Sequence, residues 1–346
     1  MPNPNLVNQF NNALTLFFSL LVEAMPFLIL GVLFSSALLL FVDERRLIAI
    51  VPRNPFLAAL TGSLIGCLFP VCECGNVPVA RRLIVQGAPT AMAIGFLLAA
   101  PTVNPIVFWA TWTAFRDQPE LVFLRVGLTL LIATIIGWVF STQKDVRSLL
   151  QPSVARAMPL MPRGDRAQSE KPTLLQSGTF ILGETNLLGE VGQPLRLDTL
   201  SAAAISPVRP LPERLWLMLD NVVQELRELG GVLVIGTAIA AIVQTAFPRE
   251  LILSLGQSPV TSVVAMMILA CVVSICSTVD AFFALSFASS FTSGALLAFL
   301  VFGPMFDLKN IALLASLFRP KPIIYLFTLA ALLSFLFTLL INLYLS

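Results

Sequence analysis

The feature that most restricts this chain is the length of its uncharged runs, which cover residues 1–22, 24–42, 54–72, 83–115, 126–143, 229–248, 251–279, 281–306 and 322–346. Most reach the roughly 20 apolar residues that an α-helix needs to cross about 30 Å of hydrocarbon. Leu- and Phe-rich stretches such as Leu326–Leu345 lack the alternating pattern, about ten residues long, of a membrane barrel strand. They read as helices. Charged residues make up only 12% of the chain, against roughly 25% in soluble domains. The expected fold class is an all-α polytopic membrane protein. No basic residue precedes the first apolar run, and the stretch 13–41 is too long for a secretory leader, so the first span is expected to remain in the mature chain.

The chain contains no histidine, which excludes His-ligated metal sites, Ser-His-Asp or Cys-His catalysis and His proton relays. A net charge of +2 gives no electrostatic footprint for nucleic acid. No Walker A sequence occurs, so ATP-driven work would need another subunit. Residues 141–213 differ from the rest: they hold 15 of the 40 charged residues and 8 of the 24 prolines. They are expected to form a polar cytoplasmic linker or insertion between a first membrane repeat (1–140) and a second (214–346).

The two apolar halves align. Glu23 and Gly31 recur as Glu228 and Gly236; Pro55, Cys67, Cys72, Asn76 and Ala80 meet Pro259, Cys271, Cys276, Asp280 and Ala284; Pro101 and Asn104 meet Pro304 and Asp307. Shared Leu and Ala would follow from membrane composition alone, whereas Glu, Cys and Pro in register point to duplication, the usual build of secondary transporters. Five membrane segments per half are expected, near 12–42, 54–72, 78–100, 103–115 and 121–141 in the first. With the N-terminus outside, Arg45, Arg46, Arg53, the central segment, Arg319 and Lys321 fall inside, while Arg116 and Arg125 fall in outer loops beside acidic residues. That satisfies the positive-inside bias and favours inverted repeats over parallel ones.

The polar residues collect where helices should break. Phe69-Pro70-Val71-Cys72-Glu73-Cys74-Gly75-Asn76-Val77-Pro78 combines two prolines, a glycine and two thiols, and further breaks are expected at Gly87-Ala88-Pro89 and Ala100–Pro105. Cys276–Asp280 and Gly303–Asp307 occupy the equivalent places in the second half. Irregular backbone at membrane depth is tolerated only where protein buries it or where it lines a wet cavity, so Pro/Gly-broken helices are expected around a central site.

The ordered set Cys72-Glu73-Cys74-Gly75, Pro78, Arg81, Gly87-Ala88-Pro89 and Leu97-Leu98-Ala99-Ala100-Pro101-Thr102-Val103-Asn104-Pro105 resembles the YraQ/ArsP family of bacterial membrane permeases. The resemblance spans both apolar halves and not the central segment. It implies a secondary transporter in the bacterial inner membrane, and members known as ArsP suggest efflux of trivalent organoarsenicals. Glu73 stands where the family more often has Ser.

Thiolates favour soft ligands, and Cys72 and Cys276 are repeat-related. The expected substrate-binding residues are Cys72, Cys74, Asn76, Asn104, Cys276, Asp280 and Asp307, with Glu73 and Asp280 as proton-coupling groups. A charge at the bilayer centre costs at least about 2.5 kcal/mol, so these carboxylates need partners, and Arg81, Arg82 and Lys309 are candidates. Cys67 and Cys271 read as packing thiols, and Glu23 and Glu228 as residues near span ends. No catalytic residue, resident metal or cofactor is assigned. The expected partners are the lipid bilayer and a small-molecule or soft-ion substrate, and a homo-oligomer is compatible with the sequence. The competing reading is a transmembrane thiol–disulfide relay through Cys72 and Cys276.

Overall fold

The computed structural model describes residues 4–41, 52, 54–69, 72–142, 149–157, 211–246, 258–288 and 290–345. Arg45, Arg46, Arg53, Pro70, Val71, Arg249, Glu250 and most of the central segment 141–213 lie outside the described residues. The first half contains α1 (Pro4–Phe41), α2 (Pro55–Ile65) with a 3-10 turn at Gly66–Leu68, α3 (Glu73–Val85), α4 (Thr90–Val103), α5 (Pro105–Ala114) and α6 (Pro119–Ser141). A short α7 (Pro152–Ala157) follows. The second half contains α8 (Leu211–Ala246), α9 (Pro259–Val273), α10 (Asp280–Leu285), α11 (Ser293–Met305), α12 (Leu308–Leu317) and α13 (Pro320–Leu345). Among the described residues there is no strand, only a lone antiparallel bridge between Leu150 and Phe318. The protein is an all-α, multi-pass membrane protein.

Both halves use one order of elements: a long helix, a helix opened by proline, a short helix opened by an acidic residue, two helices joined end to end, and a final long helix. The joints are polar. Asn104 caps α5 by accepting the Val107 N–H at 2.8 Å, with Pro105 at the first helical position where no N–H is needed. Asp307 caps α12 by accepting the Asn310 N–H at 2.6 Å. Among the described residues, six stretches are long and apolar enough to span a bilayer: Phe10–Ala37, Thr90–Ala114, Pro119–Ser141, Met218–Thr245, Ser293–Leu317 and Pro320–Tyr344.

The expectation of five separate spans per half needs correction. No single helix runs through 78–100. Gly87 has a left-handed φ of 85° and Pro89 follows it, so the chain reverses between α3 and α4. The Ala88 N–H donates to the Leu83 carbonyl at 3.0 Å to close the turn, and the Asn76 amide donates to the Leu97 carbonyl at 2.6 Å, which ties the two helices together antiparallel. In contrast, α2 runs alongside α4 in the same direction, with Ala59 and Ser63 against Gly95 and Gly66 against Ala100. Helices α2 and α3 are therefore the limbs of a hairpin. At about 1.5 Å per residue each is shorter than the hydrocarbon is thick, and Gly66 and Phe69 near the tip pack against Ala100 and Phe96, inside the Thr90–Ala114 span. Counting uncharged residues could not reveal this, because a hairpin limb and a full span are equally free of charge.

The second half has the same plan. Ala270 of α9 faces Gly303 of α11, and the Ser274 hydroxyl at the tip accepts the Leu308 N–H at 3.2 Å. Ser274 adopts a left-handed φ of 48°, a conformation costing a non-glycine residue roughly 1–2 kcal/mol.

Small residues make the close packing possible, as helix association in lipid relies on van der Waals contact between backbones. A Cβ on Gly62 would meet the Met92 carbonyl, one on Gly95 the Ala59 carbonyl, and one on Gly137 the Ala91 carbonyl. Gly62→Val is expected to separate α2 from α4 and sharply reduce the melting temperature and monodisperse yield in detergent. Gly127→Ala, where an added Cβ meets nothing within 4 Å, should leave the melting temperature unchanged or raise it by the equivalent of up to about 1 kcal/mol.

Candidate functional site

The two hairpin tips meet. Cys72 is the residue before α3, Glu73 opens that helix, and Cys276 lies in the tip before α10. The Cys72 and Cys276 sulfurs and a Glu73 carboxylate oxygen all lie within 4.8 Å of one another, and all three residues are buried. Glu73 is 1% exposed, and neither of its oxygens has a hydrogen-bond partner among the described residues. Thr278 donates its hydroxyl to the Cys276 sulfur at 3.6 Å. Cys74 follows on the first turn of α3 and is also buried. Two sulfurs and a carboxylate can hold one soft ion or one trivalent thiophilic centre.

Charge surrounds this cluster unevenly. Lys309 is 1% exposed, and its ammonium lies 4.0 Å from Asp307. Lys309 and Asp307 both interact electrostatically with Glu73, and Glu23 contributes to the same field. Among the described residues, Lys309 thus lies in the field of Asp307, Glu73 and Glu23, a setting that suits a cation or exchangeable protons better than an anion. The reading of Glu23 as a span-end residue is corrected here: it sits in the middle of the Phe10–Ala37 span.

The remaining candidates have defined partners. Asn76 ties the hairpin together through its Nδ2, while its buried Oδ1 has no hydrogen-bond partner among the described residues. Asn104 and Asp307 are caps at equivalent joints. Asp280 is engaged across the halves: its Oδ2 accepts from Arg125 at 2.6 Å, and Arg125 also donates to Thr111 of α5 at 2.7 Å. Arg125 was expected in an outer loop and is instead 1% exposed, because α6 starts at Pro119 and carries it more than a turn into the bundle. A charge five residues beyond Glu120 looks like part of the preceding polar turn; its spatial neighbour Asp280 distinguishes it.

Arg81 and Arg82 also differ from expectation. Their partners are on α8, not in the thiol cluster: Arg81 pairs with Glu228 and Arg82 with Glu225, each at 3.0 Å. Ser35 of α1 donates to the same Glu225 at 3.3 Å. Glu228, expected near a span end, lies within the Met218–Thr245 span and is the partner of Arg81. Cys67 and Cys271 pack half-buried against the core.

A many-spanning helical bundle with buried ionisable groups where broken helices converge defines a membrane transporter. The chain belongs to the ArsP_1 family of predicted permeases, whose model matches residues 9–343. It is 36% identical over 314 residues to the UPF0718 protein YcgR of Bacillus subtilis, covering 91% of each chain. A Streptococcus mutans protein that carries the provisional name of a two-component membrane permease complex subunit is 29% identical over 308 residues, covering 89% of this chain and 87% of the relative. A UPF0718 protein of Methanocaldococcus jannaschii is 26% identical over 122 residues, 35% of this chain and 33% of the relative. No solved structure gives a significant match.

The buried Arg125–Asp280 pair sets a stability prediction. Removing one member of such a pair leaves an uncompensated charge and costs about 3–5 kcal/mol. Asp280→Asn and Arg125→Gln should each lower the thermal stability of the detergent-purified protein strongly. The double variant should lose much less than the sum, as a double-mutant cycle of melting temperatures would record.

Proposed function

We propose that this chain is a secondary permease for a small thiophilic solute, of which a trivalent organoarsenical is the model, and that it works by efflux across the bacterial inner membrane. The observation carrying this reading is the Glu73 carboxylate, buried with no hydrogen-bond partner among the described residues and within 4.8 Å of two thiols contributed by opposite halves. Cys72 and Cys276 hold the solute, Cys74 and the Asn76 side-chain oxygen flank it, and Glu73 exchanges a proton as the site changes sides. Asp307 and Lys309 balance the charge of that step. Asn104 and Asp280 shape the site through the elements they anchor.

The repeats are inverted in this reading. Support comes from where each hairpin opens. The α2–α3 hairpin opens toward the end of α6, as Gly137 packs against Ala59 and Ala91. The segment after α6 meets the start of α13 at Leu150 and Phe318. The second hairpin opens toward the other end of α13, where Asn342 donates to the Pro259 carbonyl at 3.3 Å. Alternating access then consists of opening one set of inter-half ion pairs while the other stays closed: Arg81–Glu228 and Arg82–Glu225 on the side of the central segment, and Arg125–Asp280 on the opposite side. In this reading the central segment is cytoplasmic. The name of the Streptococcus relative adds a second complex component to the proposal.

Proteoliposome flux is the test, run against trivalent methylarsenicals, thiophilic metal ions and small anions. Cys72→Ser and Cys276→Ser are expected to abolish flux of the thiophilic solute while Cys67→Ala retains it. Glu73→Gln should retain binding and flatten the pH dependence of transport. Normal flux in both serine variants would remove the thiol site. Single-cysteine reporters in 141–213 and 43–53, in an otherwise cysteine-free protein, should react only from the cytoplasmic side; labelling from opposite sides would end the inverted arrangement.

The proximity of the Cys72 and Cys276 sulfurs also favours a second reading, a thiol–disulfide relay. A mixed disulfide trapped with a thioredoxin-like protein would support it. Solute flux that persists with every thiol reduced would exclude it.

A further inference from the structure

Away from the hairpin tips, a cavity of about 780 Å³ lies between the end of α6 and the start of α13. Its walls are apolar for most of their extent, including Val139 and Phe140 from α6 and Leu329 and Leu332 from α13. One end is different: Arg319 and Lys321 line it, both exposed. Arg319 donates its Nε to the Leu150 carbonyl at 3.2 Å. Among the described residues neither Arg319 nor Lys321 forms an ion pair. Tyr325, also lining the cavity, is 64% exposed one turn further on, near the start of the Pro320–Tyr344 span, and tyrosine is enriched where membrane proteins meet the headgroup layer.

The polarity of this cavity runs along one axis. Lys321 stands at the start of α13, and Leu332 lies about 16 Å further along the helix at 1.5 Å per residue. The positive end of the α13 dipole adds to the cations at the same place. A ligand matching this surface carries a negative headgroup and one or more apolar chains over a comparable length. Neither a free anion nor a neutral lipid uses both parts.

We propose that this crevice is a binding site for one anionic phospholipid, its phosphate held by Arg319 and Lys321 and an acyl chain lying between α6 and α13. The lipid lies at the membrane surface where the central segment leaves the first half. It braces the same end of the bundle at which Leu149 and Leu150 dock on Phe318 and Arg319.

Native mass spectrometry of the full-length, detergent-solubilised protein tests this with phosphatidylglycerol and phosphatidylcholine of identical chains. The wild-type protein should retain one phosphatidylglycerol in preference to phosphatidylcholine. The Arg319→Gln/Lys321→Gln variant should lose that preference by roughly five-fold for each charge removed. Thr328→Trp fills the apolar part of the crevice with both charges intact and should lose retention of either lipid. If the double variant does not fold, Lys321→Gln alone, at an exposed side chain, should still lose about five-fold. Equal retention of the two lipids by the wild type, or an unchanged preference in the charge variants, overturns the proposal. Glycerol 3-phosphate binding as tightly as the lipid would assign the cations to a free phosphate and overturn it as well.

Discussion

A backbone group left without a hydrogen-bond partner in hydrocarbon costs several kcal/mol, so a helix can be interrupted at membrane depth only where other protein encloses the gap. This chain interrupts two. The tips before α3 and α10 lie beside the middles of the spans formed by α4–α5 and α11–α12, and those spans are themselves jointed at Asn104 and Asp307. The enclosure explains much of the surrounding packing. Gly62, Gly66 and Gly95 let α2 and α4 touch backbone to backbone, and that contact excludes lipid from the first tip. The same economy of side chains recurs at Ala270 and Gly303 in the second half.

Once the tips are enclosed, their polar residues lose access to water and must be satisfied by one another. Most are. Arg125 answers Asp280, Asp307 caps α12 and faces Lys309, and Asn76 binds the Leu97 carbonyl. Glu73 stands apart, with both oxygens lacking a hydrogen-bond partner among the described residues. Such a group in a native bundle calls for an explanation, and a solute or an exchangeable proton supplies one. The ion pairs that hold the two halves together lie on either side of this point, so the charges that stabilise the bundle are also those that must separate if the halves move.

The class of fold was readable from the uncharged runs because the bilayer imposes its thickness on any helix that crosses it. The breaks were readable from Pro, Gly and Cys, since these residues act locally. Their depth was not. Whether 54–85 crosses the membrane or returns depends on α2 lying parallel to α4 and α3 antiparallel to it, a relation fixed by Gly95, Ala100 and Leu97 far along the chain. Pairing between the halves was hidden for the same reason. Asp280 and Arg125 are 155 residues apart, and nothing local marks Arg125 as buried. The alignment of Cys72 with Cys276 did carry long-range information, because a repeat related to itself across the bundle places equivalent residues near one another at its axis.

In the proposed mechanism both hairpin tips hold one solute through Cys72 and Cys276. Arsenic K-edge absorption spectroscopy on the purified protein loaded with a trivalent methylarsenical tests it most directly, since the spectrum counts the sulfur atoms bound to arsenic. Two sulfur neighbours are expected in a variant retaining only Cys72 and Cys276, and one when either is changed to serine. Arsenic without sulfur neighbours, or a count unaffected by losing either thiol, would contradict it.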